Sequence, residues 1–552
     1  PDSLESVAGE LGGRLDKYLT RVTPFGFSGA LLVASGGEVV LNKGYGLGIR
    51  DEGVANTAET VFSLGSITTQ FTAAAIVKLE MQGRLSTADF ISDYFDGVPD
   101  DKSAVTLHHL LTHTAGVINY TGEDYEMAQR DETVQKVLAA PLAFAPGERY
   151  QYSNAGYSLL AAVVELVSGQ VYEQFLHDYL FRPAGMRFTG YRLPHWDQRV
   201  VAHWYTGDDD FGTPLEKPYP SWNLLGNGDM LSTTDDMYRW HLALQGDAIL
   251  SPEAKRKLYT PFRNDYAYGW VVQETPHGTL IQHGGASMYG SSADLRRYID
   301  AGVVIMLFCN QSYGETILTR VVRPSIEKLV FGGEVGIPPA VTLEKPITLH
   351  RFVGDYEPSS GGRLYASVEN EALVLTATGQ DAINALIFST QDDLSYLDEL
   401  NAQTETVFVA AMAGDYEPLA AVLTDYDRRW PTVRQMVRSA TQEYNARKAI
   451  VHGTRPSLFI ENGWDTVVEL EGEAENAFLL FIWRDGQNVG VARVGSMPVV
   501  AVPFQPLAET EFVGYHLGLG HTVRIRFNLN VADAVAGLTI LDNNVTAGKV
   551  KS

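Results

Sequence analysis

One stretch near the start of the chain limits the fold more than any other. It runs from Ser63 to Gly83 as Ser-Leu-Gly-Ser-Ile-Thr-Thr-Gln-Phe-Thr-Ala-Ala-Ala-Ile-Val-Lys-Leu-Glu-Met-Gln-Gly. This pattern predicts the end of a strand, a tight turn at Gly65 and then a helix that Gly83 terminates. Ser66 would lie in the first helical turn, where free N–H groups and the helix dipole stabilise negative charge. The position suits a nucleophile, but on its own it favours an ordinary helix cap.

Size and charge exclude several classes of protein. A chain of 552 residues is too long for one core, so we expect two or three domains. The net charge of −25 makes nucleic acid and anionic membrane surfaces unfavourable partners. No run of about twenty apolar residues occurs, so the sequence predicts no membrane span.

The single cysteine, Cys309, excludes a disulfide within the chain and a cysteine metal cluster. It follows the apolar run Val303–Phe308, which predicts a buried position on a central strand. The chain begins at Pro1 without a methionine, as expected after removal of a leader or tag. The compartment stays open between cytoplasmic and periplasmic or secreted.

The chain changes character near residue 340. Before it, an amphipathic helix within residues 1–20, a hairpin at 27–45 and strands between 268 and 309 alternate with helical segments. A linker at 332–339 then divides a domain at 1–338 from a β-rich region at 345–552. That region is predicted as a β-barrel or sandwich with a helical insertion at about 392–450, although two small domains fit nearly as well.

Three short motifs combine small residues and hydroxyls around a turn. They are Gly65-Ser66-Ile-Thr-Thr69, Tyr152-Ser-Asn154 and His283-Gly284-Gly285-Ala286. Nucleophilic catalysis needs a hydroxyl, a base within hydrogen-bonding reach and donors for the oxyanion. Ser66 could supply the hydroxyl, Tyr152 could accept its proton, and His283 could support the tyrosine or the substrate. Taken singly, each motif is better explained as a helix cap, a packed tyrosine or a turn.

In order and spacing, these motifs resemble those of the serine β-lactamase and penicillin-binding-protein-like hydrolases, especially the class C-like branch that holds esterases and D-aminopeptidases. That family has Ser-x-x-Lys at a helix start, then Tyr-x-Asn, then Lys/His-Thr/Gly-Gly on a strand. The resemblance spans about residues 15–335. It extends to Gln70-Phe-Thr-Ala-Ala-Ala-Ile76, Leu110-Leu-Thr-His113-Thr-Ala-Gly116, Pro146-Gly-Glu-Arg-Tyr150, Gly228-Asp-Met-Leu-Ser-Thr233 and Tyr268-Gly-Trp270. It implies an α/β fold, with a mainly antiparallel sheet flanked by helices, an all-helical subdomain, and the site between them.

The resemblance also implies roles for individual residues. Ser66 would be the acyl-accepting nucleophile, and Tyr152 the general base and acid. Asn154 would orient the substrate amide or the tyrosine, and His283 would lie beside Tyr152. The backbone N–H groups of Ser66 and Ala286, next to Gly285, would form the oxyanion hole.

The first motif departs from the family at Thr69, which stands where the family has lysine. That lysine lies one helical turn after the serine, so its amine meets the hydroxyl. Threonine is too short for this contact and carries no positive charge. Either a natural loss or an engineered change would explain it, and the sequence does not separate the two.

The sequence therefore predicts a serine hydrolase that acts on ester or amide bonds through an acyl-serine, impaired by Thr69. Its partners would be small esters or peptides, with no cofactor and no metal, and a homo-oligomer is left open. The alternative is an inactive pseudo-enzyme that binds a ligand or peptide. The sequence has no Gly-x-Ser-x-Gly elbow and no phosphate-binding Gly-x-x-x-x-Gly-Lys loop, which argues against two competing enzyme classes.

Overall fold

The computed structural model describes residues 5–312, 316–341, 347–369, 372–388, 393–424, 426–443, 445–457, 460, 463–473, 475–495 and 497–550. Contacts divide the chain into two units. Phe27–Ser312 forms most of the first unit, together with residues 5–19 and Ile317–Thr319. The second unit contains Thr20–Gly26 and the described residues from Arg320 onward.

A seven-stranded antiparallel sheet forms the centre of the first unit. Its strand order is β1-β3-β2-β13-β12-β11-β10. The strands of this unit are β1 (Ser6–Val7), β2 (Gly29–Ser35), β3 (Glu38–Tyr45), β4 (Leu47–Ile49), β5 (Val54–Ala55), β6 (Phe62–Ser63), β7 (Tyr205–Thr206), β8 (Asp209–Asp210), β9 (Leu231–Ser232), β10 (Val271–Thr275), β11 (Gly278–Ala286), β12 (Ser292–Tyr298), β13 (Val303–Cys309) and β14 (Gln311–Ser312).

The most apolar strand lies inside this sheet. Every residue of β13 is buried, and the strand pairs with β12 on one side and β2 on the other. Continuous apolar runs of this kind are typical of strands that are covered on both faces. Cys309 is a free, buried thiol at the end of β13, which confirms its predicted position.

Helices cover the sheet and extend beyond it. They are α1 (Gly9–Val22), α2 (Thr69–Met81), α3 (Leu107–Leu111), α4 (Arg130–Ala139), α5 (Asn154–Ser168), α6 (Tyr172–Leu176), α7 (Arg182–Ala184), α8 (Thr234–Gln245) and α9 (Pro252–Leu258). The next helix, α10 (Leu318–Val330), begins in the first unit and lies mostly in the second. Helix α2 is buried around almost its whole circumference, and its Ala73-Ala-Ala75 run allows neighbouring elements such as α5 to approach closely.

Among the described helices, no single one is long and apolar enough to cross a membrane. Asn154–Ser168 and Tyr172–Ala184 meet the length and composition only as a pair, with a bend of 75° between them. Residues Ala155–Val164 of this pair are buried in the first unit.

The second unit contains a closed barrel of eight antiparallel strands. The barrel order is β15-β16-β17-β22-β23-β24-β25-β26. The strands of this unit are β15 (Gly354–Pro358), β16 (Arg363–Glu369), β17 (Ala372–Thr378), β18 (Lys448–Pro456), β19 (Trp464–Glu471), β20 (Ala477–Arg484), β21 (Gln487–Val494), β22 (Val500–Pro506), β23 (Glu511–His516), β24 (His521–Leu529), β25 (Val535–Ile540) and β26 (Val545–Lys549). In β24, Val523, Ile525 and Phe527 alternate with exposed residues, as expected for a strand with one face in the barrel core.

A large insertion separates β17 from β22. It contains α11 (Gln380–Ile387), α12 (Ser395–Met412), α13 (Glu417–Val422) and α14 (Tyr426–Glu443), followed by the four-stranded sheet β18-β19-β20-β21. Phe408 of α12 meets Phe481 of β20 in a separate hydrophobic cluster. The predicted α/β fold with a barrel-like C-terminal region and a helical insertion is confirmed. The insertion is larger than the predicted helical block, because it also includes β18–β21, which pair with one another rather than with the barrel strands. Residue 392, where the helical block was predicted to begin, lies outside the described residues.

Candidate active site

Ser66 lies in a short 3₁₀ turn, Gly65–Thr68, between β6 and α2. Its side chain is partly exposed. Neither the 3₁₀ turn nor α2 has a side-chain cap, so the helix-cap explanation of Ser66 is wrong. Ser66 therefore lies just before the buried helix α2, and its hydroxyl caps neither element.

Two glycines bring this turn against β11. Strand β10 pairs with β11 only as far as Gln282, so His283–Ala286 forms an edge without a β10 partner. A Cβ atom on Gly65, which has a φ of +49°, would lie 2.7 Å from Ala286 N, and one on Gly285 would lie 2.6 Å from Ser66 N. Only glycine permits such an approach. The backbone nitrogens of Ser66 and Ala286 therefore both lie at this close contact between the turn and β11.

Asp229 anchors the strand that leads into the turn. Ser63 Oγ donates a hydrogen bond of 2.6 Å to the Asp229 carboxylate, and the backbone N–H of Asp229 donates to Gly65 O at 3.2 Å. Tyr125 Oη donates to the other carboxylate oxygen. Burial raises the pKa of Asp229, and the hydroxyls of Ser63 and Tyr125 oppose that rise.

Tyr152 directly precedes α5. Ser153 caps that helix, because its Oγ accepts from Gly156 N at 3.0 Å, and this fixes the backbone beside Tyr152. Burial raises the pKa of Tyr152 to about 12, while the hydroxyls of Ser66 and Tyr266 lower it. The enclosed Tyr152 Oη makes no hydrogen bond of ordinary geometry to any described residue. Tyr152 is therefore a neutral phenol at pH 7, close to the Ser66 hydroxyl.

His283 lies on the open edge of β11 and is 6% exposed. Its Nδ1 lies 2.8 Å from Gly284 O, which can only accept, so Nδ1 carries the proton. Its Nε2 is then an acceptor, and it receives a hydrogen bond of 3.0 Å from Tyr266 Oη. Burial lowers the pKa of His283 to about 4, so the imidazole is neutral at pH 7.

Thr69 is fully buried at the first position of α2. Its Oγ1 donates a hydrogen bond of 2.8 Å to Ser66 O, so its hydroxyl proton is already used by the backbone. The Thr69 side chain also lies near enough to Tyr266 to lower the pKa of that phenol, against the larger effects of burial and of the neighbouring tyrosines.

Tyr266 was not among the predicted site residues. It is 2% exposed and lies four residues before Trp270, just outside the motif that the sequence singled out. Its ring meets that of Tyr152 edge-on, with centroids 6.2 Å apart, and its hydroxyl bonds His283. Tyr266 thus links the Tyr152 motif to the His283 motif, in addition to the direct contact between the Ser66 turn and β11.

His113 was not among the predicted site residues either. Its ring packs on Tyr152 with centroids 4.0 Å apart, and its Nδ1 accepts from Ser153 N at 3.1 Å. These contacts hold the Tyr152–Ser153 segment in place. Burial, with the nearby His283, lowers the pKa of His113 well below its usual value.

Asn154 lies at the start of α5, next to Tyr152 in the chain. Its Nδ2 donates to Asn119 Oδ1 at 3.3 Å, and its backbone N–H donates to the same oxygen at 2.9 Å. The structure thus brings Ser66, Thr69, Tyr152 and His283 together around Tyr266, with Gly285 and Ala286 against Ser66. Asn154 contacts Asn119 instead of these side chains.

A family model described as Beta-lactamase matches residues 25–321, which is more than half of the chain. The chain belongs to the β-lactamase family. Penicillin-binding protein 4* from Bacillus subtilis (strain 168) is 29% identical over 69% of this chain and 90% of that relative. The putative penicillin-binding protein PbpX of the same organism is 31% identical over 49% of this chain and 67% of its own length.

One solved structure resembles nearly the whole chain. The octameric penicillin-binding protein homologue from Pyrococcus abyssi covers 98% of this chain and 99% of its own, with 18% identity and a TM-score of 0.52. At this identity the likeness concerns the fold. The fold of nearly the whole chain therefore recurs in a solved structure.

Proposed function

We propose that this chain is a serine hydrolase that cleaves ester or amide bonds of small esters or peptides through an acyl-Ser66 intermediate, at a rate reduced by Thr69. The observation that carries the proposal is the contact of the Ser66 turn with Gly285 and Ala286, beside Tyr152. The test is ester and peptide hydrolysis, together with covalent labelling of Ser66 by a fluorophosphonate.

The proposed reaction begins when Ser66 Oγ attacks the carbonyl carbon of the substrate. The carbonyl oxygen becomes an oxyanion, which the N–H groups of Ser66 and Ala286 would stabilise. The bond to the leaving group then breaks, and water later releases the acyl group from Ser66. Asn154 would orient the substrate amide, although its side chain bonds Asn119 in the free protein.

The proton of Ser66 needs an acceptor, because Thr69 supplies no amine. We propose that the proton passes to Tyr152 Oη, that Tyr152 releases its own proton to Tyr266 Oη, and that Tyr266 releases its own to His283 Nε2. The net result is one imidazolium and one oxyanion. The 3.0 Å hydrogen bond from Tyr266 to His283 supports the last step, and the neutral imidazole is ready to accept. The same path in reverse would protonate the leaving group.

Tyr266→Phe tests this path. The variant keeps the ring and removes only the hydroxyl, so we expect kcat/KM to fall by a factor of about 10². In the unmodified chain, kcat/KM should rise with pH through about 4, as His283 loses its proton, and Tyr266→Phe should lack this limb. The groups acting on His283 through that range are Tyr266, Asp294 and His113.

Tyr268→Phe is the matched control for that variant. Tyr268 is a buried tyrosine of the same segment, and its hydroxyl lies 2.7 Å from His108 Nδ1, away from His283. It should keep both the rate and the pH profile. Equal rates for Tyr266→Phe and the unmodified chain would show that the proton takes another route.

Gly285→Ala tests the proposed oxyanion hole. Its new methyl group would lie 2.6 Å from Ser66 N, so the turn and β11 have to separate. We expect a loss of about 1–3 kcal/mol in the free energy of unfolding, measured with urea. Labelling of Ser66 should also slow by about tenfold or more. Gly284→Ala is the control, since its methyl group would lie 3.6 Å from the nearest atom, Ala293 O, and should change neither quantity.

A ligand-binding pseudo-enzyme is the second candidate. Two observations favour it: Thr69 is buried and uncharged, and the pKa of Tyr152 is about 12, so no phenolate is available at neutral pH. A binder would show saturable affinity for a peptide or cell-wall-like ligand without acyl transfer. Position 69 separates the two candidates, as discussed below.

We also propose that the chain forms a homo-oligomer. The support is the octameric assembly named for the Pyrococcus abyssi homologue, which shares the fold along almost the whole chain. Light scattering coupled to size exclusion measures the mass directly, and a mass equal to that of one chain would contradict the proposal.

A further inference from the structure

A cavity of about 490 Å³ lies between the sheet and helices α8 and α9, and neither Ser66 nor His283 lines it. Most of its wall is apolar, with Ala34, Leu244, Ile281 and Val304 among the lining residues. Ile281, Arg297, Val304 and Ala34 are register partners on four adjacent strands, so they form one row across the sheet. Its rim includes Leu242, which is 45% exposed, so the cavity is reachable from solvent.

Arg297 places a buried positive charge in this wall. It is 3% exposed, its Nε donates to His241 Nδ1 at 3.0 Å, and its Nη1 donates to Tyr259 Oη at 2.7 Å. The rings of Tyr259 and Trp270 lie beside the guanidinium, with centroids 5.5 and 5.7 Å from Cζ. Within the described part of the chain, no carboxylate forms an ion pair with Arg297. A buried guanidinium without a counter-charge is unfavourable.

The groups bonded to Arg297 offer further donors. Because His241 Nδ1 accepts a hydrogen bond from a guanidinium, the proton of this neutral ring is on Nε2. Burial, together with the charge of Arg297, lowers the pKa of His241 to about 3, so the ring stays neutral. Tyr259 Oη accepts from Arg297, which leaves its own proton to donate. No described residue accepts from His241 Nε2 or Tyr259 Oη.

The polar wall thus has a surplus of donors and a positive charge, and its remaining surface is apolar. Lys255 also lines the cavity, but its ammonium forms an ion pair with Asp247 at 2.7 Å. It therefore adds little to the positive charge of the cavity wall. A ligand that completes this wall needs negatively charged acceptor oxygens and an apolar body. A carboxylate can accept two parallel hydrogen bonds from a guanidinium.

We propose that this cavity binds a medium-chain fatty carboxylate. Its carboxylate would accept from Arg297 and Tyr259 Oη, and its alkyl chain would lie against Ile281, Val304 and Ala34. The volume is in the range of about 300–1,000 Å³ that is usual for small-molecule sites, and an apolar wall with a few convergent polar groups is typical of them. The proposal does not depend on hydrolysis at Ser66.

Calorimetric titration of the full chain with decanoate tests this site, with decanol as the uncharged probe. We expect saturable binding of one decanoate per chain, and binding of decanol at least about tenfold weaker. Pretreatment with a fluorophosphonate should leave decanoate binding unchanged, which separates this cavity from the Ser66 site. Equal binding of decanoate and decanol, or no saturable binding of decanoate, would overturn the proposal.

Charge at the rim supplies a test that leaves the interior intact. Arg297→Gln should abolish decanoate binding, but it changes a buried residue and could impair folding. Leu242→Glu and Leu242→Lys change an exposed residue in opposite directions. The glutamate should weaken decanoate binding by about tenfold or more through like-charge repulsion, and the lysine should preserve or strengthen it. Equal affinities for the two rim variants would place the carboxylate elsewhere and contradict the proposal.

Discussion

Ser66→Ala is expected to reduce ester hydrolysis to the uncatalysed background and to abolish covalent labelling by a fluorophosphonate. Without the hydroxyl, no acyl-enzyme can form, so the proposed route to hydrolysis is lost. The free energy of unfolding should change by less than about 0.5 kcal/mol, because the side chain caps neither the 3₁₀ turn nor α2. Mass spectrometry of the labelled protein and urea denaturation measure the two effects separately.

Ser103→Ala is the control for the serine chemistry. Ser103 is exposed, and its Oγ donates to Asp100 O at 2.7 Å. It has no proposed role in the site. The Ser103→Ala variant should be labelled at Ser66 and should hydrolyse esters at the same rate as the unmodified chain. Label that persists in Ser66→Ala, or a hydrolysis rate equal to that of Ser103→Ala, would remove Ser66 from the mechanism.

The sequence predicts the elements around Ser66 well, because each depends on local information. Helix α2 follows from Ala73–Ala75 and the helix-favouring residues after them, the β2–β3 hairpin from Ser35-Gly-Gly37, and β13 from an unbroken apolar run. The family resemblance then supplied which of these elements meet. The glycines confirm the close approach, since Gly65 and Gly285 are needed where the turn contacts β11.

Contacts between distant side chains were harder to predict. In the sequence, Tyr266 looks like any other packed aromatic residue. Only the turn before β10 brings its hydroxyl to 3.0 Å from His283 Nε2. His241 and Arg297 are 56 positions apart and meet only because α8 packs on the sheet at β2 and β13, beside β12. Likewise β18–β21 are short strands with apolar content similar to that of the barrel strands, so their pattern alone could not assign them to a separate sheet.

Thr69→Lys is expected to raise kcat/KM for an activated ester by a factor of about 10²–10⁴. Position 69 lies three residues after Ser66 on the same side of the helical turn, so the new amine would reach the Ser66 hydroxyl and the oxygens of Tyr152 and Tyr266. The ammonium would lower the pKa of Tyr152 from about 12 and so favour proton transfer from the serine. Because Thr69 is 0% exposed, the variant should also lose stability, by about 1–3 kcal/mol.

Thr69→Met is the matched control, since methionine has a similar length and no charge. Faster hydrolysis with lysine alone would assign the gain to the amine and establish an enzyme scaffold that Thr69 impairs. Adding Tyr266→Phe should then matter less in the Thr69→Lys background than in the unmodified chain, because the amine replaces the tyrosine–histidine path. If the folded lysine variant hydrolyses neither esters nor peptides across a broad panel, the hydrolase proposal fails and the binding function is favoured.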